Sequence, residues 1–175
     1  PQDGVHAIRI AAAAIAEMAI GRIGDDTTVN VGQIEGGRAS NIVPDYCEVS
    51  GELRSFSHKK ALEELAKVEQ IFAKEAEKCG GSIEFIRDIC YQAYKTDENE
   101  SVVKEFQKAC TACGIKSSLI ATFGGSDQNK MSEHGIPGIV MASAMHQVHS
   151  CQEYTEVSEM AQVAGIVSEL LQMKE

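Results

Sequence analysis

Tyr46-Cys47-Glu48-Val49-Ser50-Gly51-Glu52-Leu53-Arg54 alternates without a break, and its reading organises the residues on either side. Cys47, Val49, Gly51 and Leu53 share one face, while Glu48, Ser50, Glu52 and Arg54 share the other. That is the period of a strand with one side buried and one side wet, and it puts Arg54 on the accessible side of a sheet. Upstream, Thr27 to Ile34 reads as a second strand, with Val29 and Val31 alternating against Asn30 and Gly32, and Gly36-Gly37 marks a turn or bulge. Helices flank this pair. From Val5, apolar residues recur at Ile8, Ala12, Ile15 and Ala19 until Gly21 and Gly24 end the pattern. From Lys59 to Lys78 the stripe is Leu62, Leu65, Val68, Phe72 and Ala76, stopped by Gly80-Gly81. Ser82 to Ile86 reads as a short strand. The order helix, strand, strand, helix, strand needs one leading strand to become the split β-α-β-β-α-β arrangement of ferredoxin-like folds, and that strand would lie before Pro1. An opening Pro1 in place of Met suits a cut or partial chain.

After Tyr94 the texture changes. Lys95-Thr96-Asp97-Glu98-Asn99 reads as a linker, with Asp97 and Glu100 spaced as in a capping box before a helix on Val102, Val103, Phe106 and Cys110. Ser117 to Phe123 and Ile136 to Ala142 read as strands, the latter buried. Gly124-Gly125 turns the chain into a short helix between them, and a last helix uses Met160, Val163, Val167 and Leu170. Alternating strands and helices of this kind predict part of an α/β sheet, so the expected domains are 1–94, of α+β type, and 95–175.

Composition excludes several classes. With 175 residues, 43% hydrophobic and 24% charged, the chain can bury a real core. No stretch approaches the roughly 20 apolar residues of a membrane span. The formal net charge of -10 argues against nucleic acid, whose phosphates it would repel. The six cysteines lack framework spacing and are expected as reduced thiols, consistent with a cytoplasmic location. Cys110 and Cys113 form a C-x-x-C, but they sit one helical turn apart on the face of Phe106, which favours packing over redox or metal chemistry.

Three segments hold glycines and polar residues where packing alone does not ask for them. In Met145-His146-Gln147-Val148-His149-Ser150-Cys151-Gln152-Glu153-Tyr154, two imidazoles and a carboxylate could serve a metal, as ligand and as acceptor orienting a ring. The alternative is a polar loop leading into the last helix. In Phe123-Gly124-Gly125-Ser126-Asp127-Gln128-Asn129, bare backbone N–H groups could approach a substrate carbonyl, or the segment is a plain turn with Ser126 or Asp127 as N-cap. In Gly36 to Asp45, followed by Arg54, the guanidinium offers a fork for a carboxylate and Asn41 a donor for a carbonyl. Otherwise Arg54 is a solvated arginine paired with Glu52 or Glu48.

All three segments occur together and in order, along with Thr27-Thr28-Val29-Asn30-Val31-Gly32, Asn41-Ile42-Val43-Pro44-Asp45, Gly51-Glu52-Leu53-Arg54-Ser55 and Gly135-Ile136-Pro137. In these the chain resembles the lid domain and second catalytic half of the peptidase T-like zinc aminopeptidases. That group also includes aminoacylase, glutamate carboxypeptidase and succinyl-diaminopimelate desuccinylase. The resemblance implies a ferredoxin-like lid joined to a partial α/β catalytic domain. His149 would be a metal ligand, while His146, His134, His58 and His6 would match none. Asn41 and Arg54 would hold the substrate carbonyl and carboxylate, and Gly124, Gly125, Ser126 and Asp127 would line the pocket. It further implies a short peptide substrate, two zinc ions in an intact parent, and a homodimer formed through the lid. The remaining metal ligands, the general base and a lid histidine would lie outside this chain, leaving the segment alone inactive. A non-catalytic ferredoxin-like dimerisation or binding module is the rival, as is another amide hydrolase of the group (dipeptidase, aminoacylase or carboxypeptidase).

Overall fold

The computed structural model describes residues 2–172, and the chain divides into two compact units, Pro1–Ala93 and Tyr94–Glu175. The first unit runs α1 (Ala7–Glu17), β1 (Gly21–Ile23), β2 (Thr27–Gly36), β3 (Cys47–Ser55) and α2 (His58–Lys78). Its sheet is antiparallel in the order β1-β2-β3, with Val29 opposite Leu53 and Thr28 opposite Arg54. The alternation predicted for β3 is present: Cys47, Val49, Leu53 and Ser55 are half-buried, and Glu48, Ser50, Glu52 and Arg54 are exposed. A register shift between Val31 and Gln33 bulges β2, and beyond it Gln33 to Gly36 are exposed on both faces.

Helices α1 and α2 pack on each other and on the sheet. The buried stripe of α1 is Ile10, Ala11 and Ala14, and Ala12 of the predicted stripe is exposed. The small alanines allow close approach, so packing selected the face with Ile10 at its centre. In α2 the predicted stripe turns inward at Leu65, Val68, Phe72 and Ala76, although Leu62 in the second turn remains 40% exposed. Ser57 caps the helix start by accepting from the Lys60 N–H. Its end closes with bonds from Gly80 N to Glu77 O and from Gly81 N to Ala76 O, a Schellman motif that needs the left-handed φ of 71° at Gly80.

Two expectations for this unit change. Gly21, read as part of a helix stop, opens the short strand β1, which pairs along Gly21–Val29. Ser82 to Ile86 is not a strand, and its Ile83 and Ile86 are exposed. A strand exists only through its ladder, and no described residue supplies one to that segment.

The second unit comprises α3 (Ser101–Ala112), α4 (Asp127–Glu133), a two-residue ladder of β4 (Met145–His146) with β5 (Tyr154–Thr155), and α5 (Val157–Gln172). Its core is Ala109, Cys110 and Ile166, with Phe106, Cys113, Ile115, Met141 and Leu170 against them. The inward face of α5 is therefore Val163, Ile166 and Leu170, while Met160 and Val167 of the predicted stripe are exposed. Asp97 does not cap α3. It accepts from the Asn99 N–H at 2.8 Å in a turn ahead of the helix, whose N-cap residue is Glu100. Neither Ser117–Phe123 nor Ile136–Ala142 forms a strand, and Ile120, Ile136 and Val140, which the sequence reading would have paired or buried, are exposed. Their apolar character matches strands, but neither segment takes part in a strand ladder among the described residues. All six cysteines are free thiols, and Cys110 is 1% exposed, as packing on α3 demands.

Candidate functional site

In the first unit the loop joining β2 to β3 has a braced base and an open tip. Gly37, at φ 78°, donates its N–H to Tyr46 O, Arg38 pairs with Asp45 at 3.3 Å, and Pro44, buried, accepts from the Ala7 N–H at 2.9 Å. Asn41 sits at the exposed tip, within the turn closed by Ile42 N to Ala39 O, and its side chain makes no hydrogen bond among the described residues. Arg54 lies on the wet face of β3. Its Nε reaches Glu52 Oε1 at 2.7 Å and its Nη2 reaches Glu52 Oε2 at 2.8 Å, a bidentate pair. That hydrogen bonding raises the Arg54 pKa and holds Glu52 below the usual carboxylate range. The guanidinium is thus presented to solvent with a displaceable internal carboxylate in its fork, which is the pairing with Glu52 foreseen as the alternative.

In the second unit Ser126 is the N-cap of α4 and its N–H donates to Asn129 Oδ1 at 2.9 Å. Asn129 is buried, and its side chain fixes the turn from below. Gly124 donates its N–H to Thr122 Oγ1 at 3.0 Å, so that amide is satisfied internally, while Gly125 and Asp127 are exposed. After α4, Gly135 at φ 74° closes another Schellman end with bonds to Ser132 O and from Ile136 N to Met131 O.

The loop between β4 and β5 is the most constrained of the three segments. Ala144, Gln147 and His149 all have left-handed backbones, with φ of 61°, 50° and 64°. For residues other than glycine each such conformation costs about 1–2 kcal/mol, so surrounding bonds must hold it. Ser150 Oγ donates to Gln147 O at 2.7 Å and accepts from Gln152 N, and Thr155 Oγ1 donates to Ala144 O at 2.6 Å. The Glu153 carboxylate accepts from the His149 backbone N–H at 2.8 Å. This corrects the expectation that an acidic neighbour orients the ring: Glu153 serves the main chain. The His149 ring is exposed and makes no hydrogen bond among the described residues.

Sequence reasoning missed the partners of His146. Its Nε2 lies 2.5 Å from Glu159 Oε2, and its ring stacks on Tyr154 with centroids 4.8 Å apart and planes at 17°. The β4–β5 pairing makes Tyr154 its cross-strand neighbour. No short-range period reveals Glu159, thirteen residues away on α5. Among the described residues no group of three or more His, Cys, Asp or Glu side chains could hold a metal ion. The open imidazole of His149 suits a single metal ligand, but a complete centre needs three or more donors.

Residues 1–79 match the family model of the peptidase dimerisation domain. This is an M20-type dimerisation domain. Over nearly its whole length the chain is also similar to solved peptidases. It is 35% identical to the aminopeptidase PepT of Bacillus cereus, with a TM-score of 0.82 over 98% of this chain and 47% of that one. To a tripeptidase from Staphylococcus aureus it is 31% identical, with a TM-score of 0.91 over 98% of this chain and 46% of that one. It shares its fold with Bacillus subtilis YXEP, described as a dinuclear metal-binding peptidase of the M20 family, at 17% identity and a TM-score of 0.73 over 95% of this chain and 45% of that one. The chain spans about half the length of the solved structures it matches. No helix among the described residues is long and apolar enough to cross a membrane.

Proposed function

We propose that the full-length protein carrying this M20 chain is a metal-dependent peptidase of short peptides, of tripeptide aminopeptidase type, and that His149 is one of its metal ligands. The observation that carries the reading is the β4–β5 loop, in which the Ser150 hydroxyl and the Glu153 carboxylate bond the loop's own backbone while the His149 imidazole stays open. Arg54 and Asn41, both exposed on the first unit, are assigned to the substrate carboxylate and carbonyl. Gly124, Gly125, Ser126 and Asp127 are assigned to the pocket lining. Two zinc ions are assigned to the intact enzyme, which when bound supply an activated water for attack on an amide carbonyl. No acid–base residue is assigned within this chain. The dimerisation domain supports a homodimer, and a cytoplasmic location suits six free thiols.

Replacing His149 with Ala in the full-length protein should abolish hydrolysis of tripeptides and remove bound zinc from one position. Retained turnover with unchanged zinc content would sink the assignment. The 175-residue chain alone should show no turnover and no tight zinc binding by calorimetry, since the described residues bring no three ligands together.

A further inference from the structure

The left-handed backbone of His149 coincides with a specific contact, the donation of its N–H to the Glu153 carboxylate. We propose that Glu153 is a positioning residue: by accepting the His149 N–H it fixes the direction in which the imidazole leaves the loop. The inference rests on the reading of His149 as a metal ligand.

Several observations converge. His149, at φ 64°, is not a glycine, so its conformation persists only where neighbours over-determine it. Glu153 Oε2 meets its N–H at 2.8 Å, while the Glu153 N–H donates to Ser150 O at 3.2 Å, so the four residues from His149 to Gln152 are closed at both levels. The carboxylate is exposed and could lie in water, yet it folds back onto one amide. The stem beneath the loop is braced separately by the His146–Tyr154 stack, the His146–Glu159 pair and the Thr155–Ala144 bond. Losing the Glu153 contact therefore frees the His149 peptide without dissolving the hairpin. Relaxation of φ to a negative value would swing the Cα–Cβ bond and carry the ring away from its present direction.

The test uses the full-length protein as Glu153→Ala, Glu153→Gln and His149→Ala, with two readouts: amide hydrogen exchange at residue 149, and zinc affinity by competition against a chromophoric chelator. Gln keeps a carbonyl oxygen that can accept the N–H, so it serves as the conservative rescue. Glu153→Ala should speed exchange at His149 at least about tenfold and weaken zinc binding about 10- to 100-fold, the range for loss of a group that orients a ligand. Glu153→Gln should stay within a few-fold of the parent in both. The proposal is overturned if Glu153→Ala leaves zinc affinity intact while His149→Ala lowers it, whether or not exchange changes. It is equally overturned if Gln behaves as Ala. If His149→Ala itself leaves zinc affinity intact, the ligand reading fails first, a result distinct from failure of the positioning step.

Discussion

Replacing Glu52 with Gln should tighten the binding of peptides that carry a free C-terminal carboxylate. Glu52 occupies the Nε–Nη2 side of Arg54 through bonds of 2.7 and 2.8 Å, and a substrate carboxylate that takes this side must displace it. The pair is exposed, with side-chain accessibilities of 45% for Arg54 and 59% for Glu52, so its worth is that of a surface ion pair, about 0.2–1 kcal/mol after solvent screening. At 1.4 kcal/mol per decade this releases about 1.4- to 5-fold in affinity. Steady-state kinetics on the full-length protein should show KM falling by that factor with kcat unchanged, and the gain should shrink at high salt. Glu48→Gln is the control, because it removes the same charge from the same strand face but pairs with the Tyr46 hydroxyl at 2.9 Å. A peptide amidated at its C-terminus should show no gain. A KM that rises in Glu52→Gln, or falls equally in Glu48→Gln or with the amidated peptide, would refute competition for Arg54.

Gly51→Ala should destabilise the protein by about 1–3 kcal/mol, read as a lower urea midpoint, because an added Cβ would meet Asn30 O at 2.6 Å and backbone cannot step aside cheaply. Ile166→Ala, at a site 6% exposed, should cost about 2–5 kcal/mol and Ile166→Val about 1, and equal midpoints for the two would contradict the assigned core. Asp26 is held below the usual carboxylate range first by the hydrogen bond from Lys60, and Asp97 by its bond from Asn99. Depressed carboxylates stabilise the fold above their unfolded pKa of about 4, and that contribution disappears as pH falls through the lower folded value. The urea midpoint should therefore drop on acidification from about pH 5 downward, and less so in Asp26→Asn; an unchanged acid slope in that variant would argue against the pair. Burial raises the Cys110 thiol pKa, so Cys110 should be the slowest of the six cysteines to react with a thiol reagent and Cys79, Cys90 and Cys151 the fastest, as mass spectrometry of labelled peptides can show.

Legibility differed by element. The face of β3 and the extent of α2 could be read because a period of two or of 3.6 residues records burial locally, and Arg54 could be placed on the wet face from alternation alone. The stripes of α1 and α5 were placed in part: Ile8, Ile15, Val163 and Leu170 turn inward, while Ala12, Met160 and Val167 are exposed. Alanines at 11 to 14 and the apolar run of α5 fit more than one face, and only contact with a partner element selects Ile10 or Ile166. Ser82–Ile86, Ser117–Phe123 and Ile136–Ala142 have strand composition without strand pairing, since propensity describes a residue and a ladder needs a second chain segment.

The amino-acid sequence by itself determined the α-β-β-α succession, the packing of Cys110 on the inner face of its helix, and the three polar segments worth attention. Those features follow from neighbours a few residues apart. Tertiary structure decided which carboxylate meets which group. Glu153 serves the His149 main chain and not its ring, Glu159 reaches back thirteen residues to His146, and Glu52 fills the Arg54 fork. These are choices among many acidic residues of equal charge, and only the folded distances distinguish them.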